Sequence, residues 1–456
     1  MTANQQTDER HYETKKQVPR PTRPPPTDHP RLRPKPEPVD RLGLGRPNAL
    51  PGLSPHANGA AKFTKELSQK PEALDAYFLA LHQQYPRLHV FVEQSRGSVI
   101  YALMKFDFVT LYPINPRALS DYRRVFKVSG AKSDPAAGDL LLEFGSKHQE
   151  QLRALQPQDA TTRKLALLCE HRRDLVQDRT ACLNRLISTL KGYYPLALEL
   201  VGEQLAGSMA AAFLRRWPNL AALQKAQPQT LRAFFYAHHA RSEALLQQRL
   251  AAVAAAQPLT EDPAIVEPMQ RLAGAMRQQI VTLQKVLAEY DQELAEVFSA
   301  HPQAALFAAL PGAGPVLAPR LAAAFGTRPE SWASAQDLLQ LSGVAPVTRQ
   351  SGQQRTVHFR WVRPKFLHQT MVEFAKCSIG QCDWARLLDD DQLGRGKDRW
   401  TAIRKIAFKW LRILWRCWKE EVLYDEARYL RSLQKRGVKL YETLYTKLPA
   451  TALQPM

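Results

Sequence analysis

The stretch LHVFVEQSRGSVIYALMKFDFVTLYPINP (88–116) decides the fold. LHVFVEQ (88–94) is a short β-rich run closed by a carboxylate, Glu93. SVIYALMKF (98–106) reads as a helix, and FVTLYPINP (108–116) as a second strand that its prolines end. Strand, helix, strand at this spacing is a βαβ unit, so the two strands run parallel. Ligands of such sheets sit at the carboxyl ends of the strands, where Glu93 falls. Upstream, PEALDAYFLALHQQ (71–84) places apolar residues at helical spacing. Downstream, residues 117–127 are polar and basic, and SGAKSDPAAGDLLLEF (129–144) is a turn leading into a helix.

The chain on either side differs in kind. Residues 1–60 hold a dozen of the 33 prolines, many arginines and few large apolar side chains. Such a segment buries too little surface to offset its chain entropy and reads as a disordered tail. After an α/β domain over 61–160 comes a helical region over 161–305. It opens with a long amphipathic helix at 159–195, in which Leu165, Leu168, Leu175 and Leu183 take apolar positions. Two further helical stretches flank QPLTEDP (257–263), and the second suits either an antiparallel or intermolecular coiled coil or an ordinary bundle helix. A mostly helical domain spans 306–425, and 426–456 reads as a polar, Tyr-rich tail.

The 456 residues carry 63 Lys and Arg against 43 Asp and Glu, a net charge of +20. That balance suggests a polyanionic partner, nucleic acid foremost. Hydrophobic residues make up 45%, which argues against wholesale disorder. No apolar run is long enough to span a bilayer, so no membrane partner is expected. Five cysteines without metal-type or disulfide-type spacing fit a reducing, cytoplasmic setting.

Four motifs carry chemistry. LPGAGPVLAPRLAAAFG (310–326) has the pattern of a helix–hairpin–helix element. Gly312 and Gly314 permit a tight turn whose N–H groups, with the next helix start, suit a phosphate; a plain interhelical turn is the alternative. LSGVAPVTRQSGQQRTVHFR (341–360) presents Ser351 in a basic loop near Arg349, Arg355, His358, Arg360 and Arg363. A serine so placed could attack a phosphodiester while the arginines stabilise developing charge, although most such serines are turn residues. RGKDRWTAIRKIAFKWLRILWRCWKE (395–420) is an amphipathic helix. Ile403, Ala407, Trp410, Leu414 and Cys417 share one face, and Lys405, Lys409, Arg412 and Arg416 the other. No acid interrupts that row between Asp398 and Glu420, which favours contact with a nucleic-acid backbone over a merely solvated face. Last, Glu93, Asp134 and Asp139 are carboxylates on the α/β part, where a divalent ion could bind.

In this order the pieces resemble the transposases of the insertion-sequence 110/116/902 family. VFVEQSRG, LYPINPRALSDYR, SGAKSDP and NRLISTLKGYYP carry the likeness in the first half. LPGAGPVLAPRLAAAFG, LSGVAPVTRQSG, RGKDRWTAIRKIAFKWLRILWRCW and YDEARYLRSLQKRG carry it in the second. The resemblance implies a RuvC-like, ribonuclease-H-type α/β domain, here incomplete, then a helical coiled-coil linker. A mostly α C-terminal domain bearing the serine follows. It implies that Ser351 attacks DNA, that Glu93 and Asp134 hold Mg²⁺, and that a structured RNA from the element guides the reaction. DNA, a guide RNA and a homo-oligomer, dimer or tetramer, are the implied partners, in the bacterial cytoplasm at the nucleoid. Two positions depart from the pattern. Ala137 stands where a second aspartate is expected, with Asp139 about 200° further round a helix. No first strand with its leading aspartate precedes residue 63. The expected function is a transposase that cuts and rejoins DNA, and the alternative is a degenerate copy that only binds nucleic acid.

Overall fold

In a computed structural model the described residues are 67–68, 70–93, 96–126, 134–202, 205–360 and 363–437. Residues 1–60, read as a disordered tail, and the segment where a first strand was sought lie outside them. The chain divides into two compact units, up to Leu155 and from Gln156 onward.

The first unit is the βαβ element with its helices: α1 (Pro71–His82), β1 (Leu88–Val92), α2 (Ser98–Leu103), β2 (Val109–Pro113), α3 (Pro116–Phe126) and α4 (Asp134–Lys147). β1 and β2 pair in parallel from Leu88↔Val109 to Val92↔Pro113, as the spacing required. One cluster contains Phe78, Val90, Ile100, Leu103 and Leu111. A second contains Phe91, Tyr112, Leu119 and Leu140. α4 sits so close to β1 that a Cβ on Gly145 would lie 2.3 Å from the Phe91 ring. α3 falls in the segment read only as polar and basic; Leu119 is its buried anchor.

The second unit begins with α5 (Ala160–Tyr193), started by Asp159, whose side chain accepts from the Thr162 amide. Five shorter helices follow: α6 (Leu196–Val201), α7 (Ser208–Arg216), α8 (Leu220–Gln224), α9 (Pro228–Ala237) and α10 (Glu243–Ala255). α11 (Pro263–Ser299) then runs back along α5. Lys164 pairs with Glu293 at 2.7 Å, Arg172 with Asp291, and the Cys182 thiol donates to Gln279. Partners fall in number along α11 as they rise along α5, so the pairing is antiparallel and intramolecular. This hairpin of about 50 Å joins two cores. At one end Leu186, Leu190, Ala273, Met276 and Ile280 pack with α6 to α10. At the other, Leu165, Cys169 and Leu294 enter the C-terminal core.

The C-terminal module holds α12 (Ala304–Ala308), α13 (Gly314–Phe325), α14 (Ala335–Ser342), β3 (Val347–Ser351), β4 (Gln354–His358), α15 (Lys365–Ser378), α16 (Asp383–Gly394), α17 (Arg399–Glu420) and α18 (Glu426–Lys435). Two features differ from the sequence expectation. The Ser351 segment is an antiparallel β-hairpin rather than a loop. α18 lies where a tail was expected, and its Leu430 and Leu433 join the core.

Candidate nucleic-acid interface

α17 is held from three sides. Trp410 and Trp418, both on α17 itself, and Trp384, on α16, are all fully buried, and each indole N–H has an acceptor: Ser378 Oγ at 2.7 Å, the Gly326 carbonyl at 3.0 Å and Tyr424 Oη at 2.9 Å, respectively. Large apolar rings with satisfied N–H groups fix a helix in both rotation and translation. The expected apolar face of Ile403, Ala407, Trp410, Leu414 and Cys417 is buried throughout. Ala402, Ile406, Leu411, Trp415 and Trp418 widen it.

The edge left uncovered forms one wall of a groove of about 990 Å³. Lys405, Lys409 and Arg412 line it, with Lys397 and Arg404 beside them. The other wall is the Gly343–Pro346 turn and the end of the hairpin, Val357 to Phe359. Arg416, the fourth cation of the expected row, is not in this lining; it donates to Glu420 at 3.0 Å. Lys405 donates to Gln392 across the α16–α17 corner. Burial, then Arg436 and Arg412, lower the Lys409 pKa below the usual lysine value. A lysine already short of water and crowded by cations gains by meeting an anion.

The hairpin is tied to this groove at its base. The Phe359 ring lies under two guanidinium groups, Arg363 at 4.2 Å and Arg404 at 5.2 Å, a cation–π arrangement. Arg363 crosses Gly343, where a Cβ would meet it at 2.2 Å, and donates to the Arg360 carbonyl at 2.6 Å. His368 Nδ1 donates to the Ser342 carbonyl at 3.0 Å. Burial first, then Arg363, pushes the His368 pKa down.

At the far end Gly352 (φ +57°) opens a two-residue turn between Ser351 and Gln354, the position that glycine favours in hairpins of type II′. The register puts Arg349, Ser351, Gln354, Thr356 and His358 on one face, and Gln350, Arg355 and Val357 on the other. Ser351 is exposed. Of the arginines expected around it, Arg349 shares its face and Arg355 does not.

The remaining candidates are spread out. Gly312 (φ +82°) packs against the end of α15; a Cβ there would lie 2.8–2.9 Å from the Cys377 and Ser378 backbone. Its missing side chain serves helix packing. Gly314 (φ +55°) is exposed with open space around it. Glu93 follows β1 directly and is exposed at the carboxyl end of the parallel pair. Asp134 is the first residue of α4, and its side chain lies outside the described residues. Among the described residues no group of three or more His, Cys, Asp or Glu could hold a metal ion.

Sequence reading missed Lys397, Arg404 and Phe359. Arg404 was legible as one more cation on the helix, but nothing local tied it to Phe359, 45 positions earlier.

A parallel βαβ unit followed by a helical half with a cationic groove is the outline of a protein that works on polyanionic strands. Residues 55–195 match a family model described as a transposase, and residues 304–389 match that of the IS116/IS110/IS902 transposase family. The chain is 24% identical over 344 residues to the protein assigned as mini-circle transposase for IS117 of Streptomyces coelicolor, covering 74% of this chain and 83% of that one. It is 26% identical over 290 residues to a 42 kDa protein of insertion element IS900 of Mycobacterium paratuberculosis, covering 62% and 70%. A 44.8 kDa protein of insertion element IS116 of Streptomyces clavuligerus is 24% identical, over 65% of this chain and 73% of its own. The chain belongs to the IS116/IS110/IS902 family of transposases. Among the described residues no helix is long and apolar enough to cross a membrane.

Proposed function

We propose that this transposase cuts and rejoins DNA through Ser351, with the strand seated in the groove between the hairpin base and α17. The observation that carries this reading is an exposed serine at the turn of a hairpin whose base opens onto Lys397, Arg404, Lys405, Lys409 and Arg412. Ser351 Oγ would attack a backbone phosphorus. The Oγ–P bond forms as a P–O bond to the sugar breaks, the serine proton passes to solvent, and the leaving sugar oxygen ends as a hydroxyl. Arg349, on the same hairpin face, would offset charge on the phosphoryl oxygens. Rejoining is the reverse attack by another strand's hydroxyl, which conserves the bond without a cofactor.

The family resemblance adds an RNA guide, and joining two DNA ends calls for a homo-oligomer. It also implies Mg²⁺ on Glu93 and Asp134. The described donors do not fit a resident Mg²⁺: Ala137 replaces one carboxylate, and no cluster of three forms. No step is therefore routed through a metal. That shortage favours a second reading, a copy that still grips nucleic acid but recombines poorly. Labelled DNA of the element's ends decides between them on a denaturing gel. A covalent adduct that Ser351→Ala abolishes supports the first. An adduct that survives Ser351→Ala removes the nucleophile, and salt-sensitive binding with no adduct supports the second.

A further inference from the structure

The helical module between α5 and α11 carries its own cationic cavity. From residue 204 to 242 the chain has no Asp or Glu, yet it holds Arg215, Arg216, Lys225, Arg232 and Arg241 with two histidines. A surface kept merely soluble mixes signs. α7 and α9 frame a cavity of about 730 Å³ within this stretch. Ala212, Ala233 and Ala237 contribute a low apolar floor, and Arg215, Arg216 and His238 stand around it.

Three further observations make this more than a solvated face. Arg232, nearby in the same module, is already engaged by Glu243 at 2.8 Å, whereas Arg215 and Arg216 have no ion-pair partner among the described residues. The Arg216 guanidinium lies over the Trp217 ring at 4.9 Å, and that ring is buried. Its charge is thereby held in place without being neutralised. Beneath, Phe213, Trp217, Phe234 and Phe235 pack ring on ring with centroids 5.0–6.2 Å apart, a stiff support. This core shares no residue with the cluster under the groove.

We propose that the α7–α9 cavity is a second nucleic-acid site, separate from the groove. It takes an unpaired strand, with Arg215 and Arg216 on successive phosphates and a base lying on the alanine floor. Flat rings on a small-residue floor and guanidinium groups on phosphate are the two halves of single-strand recognition. The site does not depend on the role of Ser351.

The test uses the full chain and fluorescent oligo-dT and oligo-U of about 20 nucleotides, with anisotropy read across a salt series. Arg215→Ala with Arg216→Ala should weaken binding roughly tenfold and flatten the log–log salt slope by about 1.4, two phosphates at about 0.7 each. Ala233→Trp should cost a similar factor by filling the floor while leaving the slope unchanged; Ala233 is exposed, so the fold tolerates the ring. A loss confined to one oligonucleotide supports the site and names its occupant as DNA or RNA. Unchanged affinity and slope for both in the double arginine variant overturn it. So does a loss in the arginine variant that Ala233→Trp fails to reproduce, which would be diffuse charge. A Lys405→Ala, Lys409→Ala variant run in parallel reports on the groove alone, so failure of either site is read separately.

Discussion

In the first unit two strands of five residues pair side by side, and Glu93 leaves their carboxyl end into solvent. In the C-terminal module three fully buried tryptophans, two of them on α17 itself, lock that helix in place and turn its cations toward a groove. Both regions carry polar groups that suit phosphate chemistry. In one they are isolated on a small sheet, and in the other a deep core holds five cations in a single wall. A side chain acts in concert with others only where packing fixes several at once. By that measure the C-terminal module has a gathered cationic wall, and the carboxylate-bearing half lacks a gathered donor set among its described residues.

The comparison breaks or sharpens at definite points. The largest effect expected is from Ser351→Ala, which should lower strand exchange by about a thousandfold or more with unchanged thermal stability, because the side chain is exposed. If recombination between the element's ends continues at wild-type rate, the C-terminal half loses its claim. Next, Lys405, Lys409 and Arg412 all changed to Ala should reduce duplex affinity by about a hundredfold and flatten the salt slope by nearly three. An unchanged slope would put the backbone elsewhere. Glu93→Gln should slow strand exchange by only about tenfold, because Glu93 stands apart from any gathered donor set among the described residues. Loss as complete as with Ser351→Ala would show that the first unit is the equal of the second.

The smallest effect concerns the join between α5, α11 and α13. His301 is buried, accepts from the Gln303 amide at 3.2 Å, and donates through Nε2 to Thr162 Oγ1 at 3.1 Å. Thr162 and Thr327 hydroxyls in turn donate to Asp159. Burial lowers the His301 pKa, a shift only partly offset by Asp159. The unfolded chain then binds a proton that the folded chain refuses. The stability this imidazole contributes is present above about pH 6.5 and is lost as pH falls toward its lowered folded value. A melting-temperature series from pH 7.5 to 5 should fall by a few degrees more in the native chain than in His301→Gln. Parallel slopes would refute this.

How much was legible depended on whether a residue's neighbours in sequence are also its environment. β1 and β2 announced themselves because both are short apolar runs with a helix between them. α17 did so because its apolar positions recur at helical spacing. The β3–β4 hairpin did not. Four of five residues in β3 and all five in β4 are exposed, so neither face leaves an alternating apolar signature. Gly352 between Val- and Thr-containing flanks was the available hint. Gly312 was legible as a turn, yet its close approach to α15 depends on residues 65 positions away.

By itself the sequence determined β1, α2 and β2, the parallel sense of the small sheet, the amphipathic character of α17 and the family. Each follows from periodicity or from short motifs, which need no distant partner. Tertiary structure alone decided which cations share a wall, that Phe359 is gripped by Arg363 and Arg404, that Arg416 turns to Glu420 instead, and that α11 folds back on α5. Those outcomes depend on side chains brought within a few ångströms by packing, and separation along the chain carries no record of it.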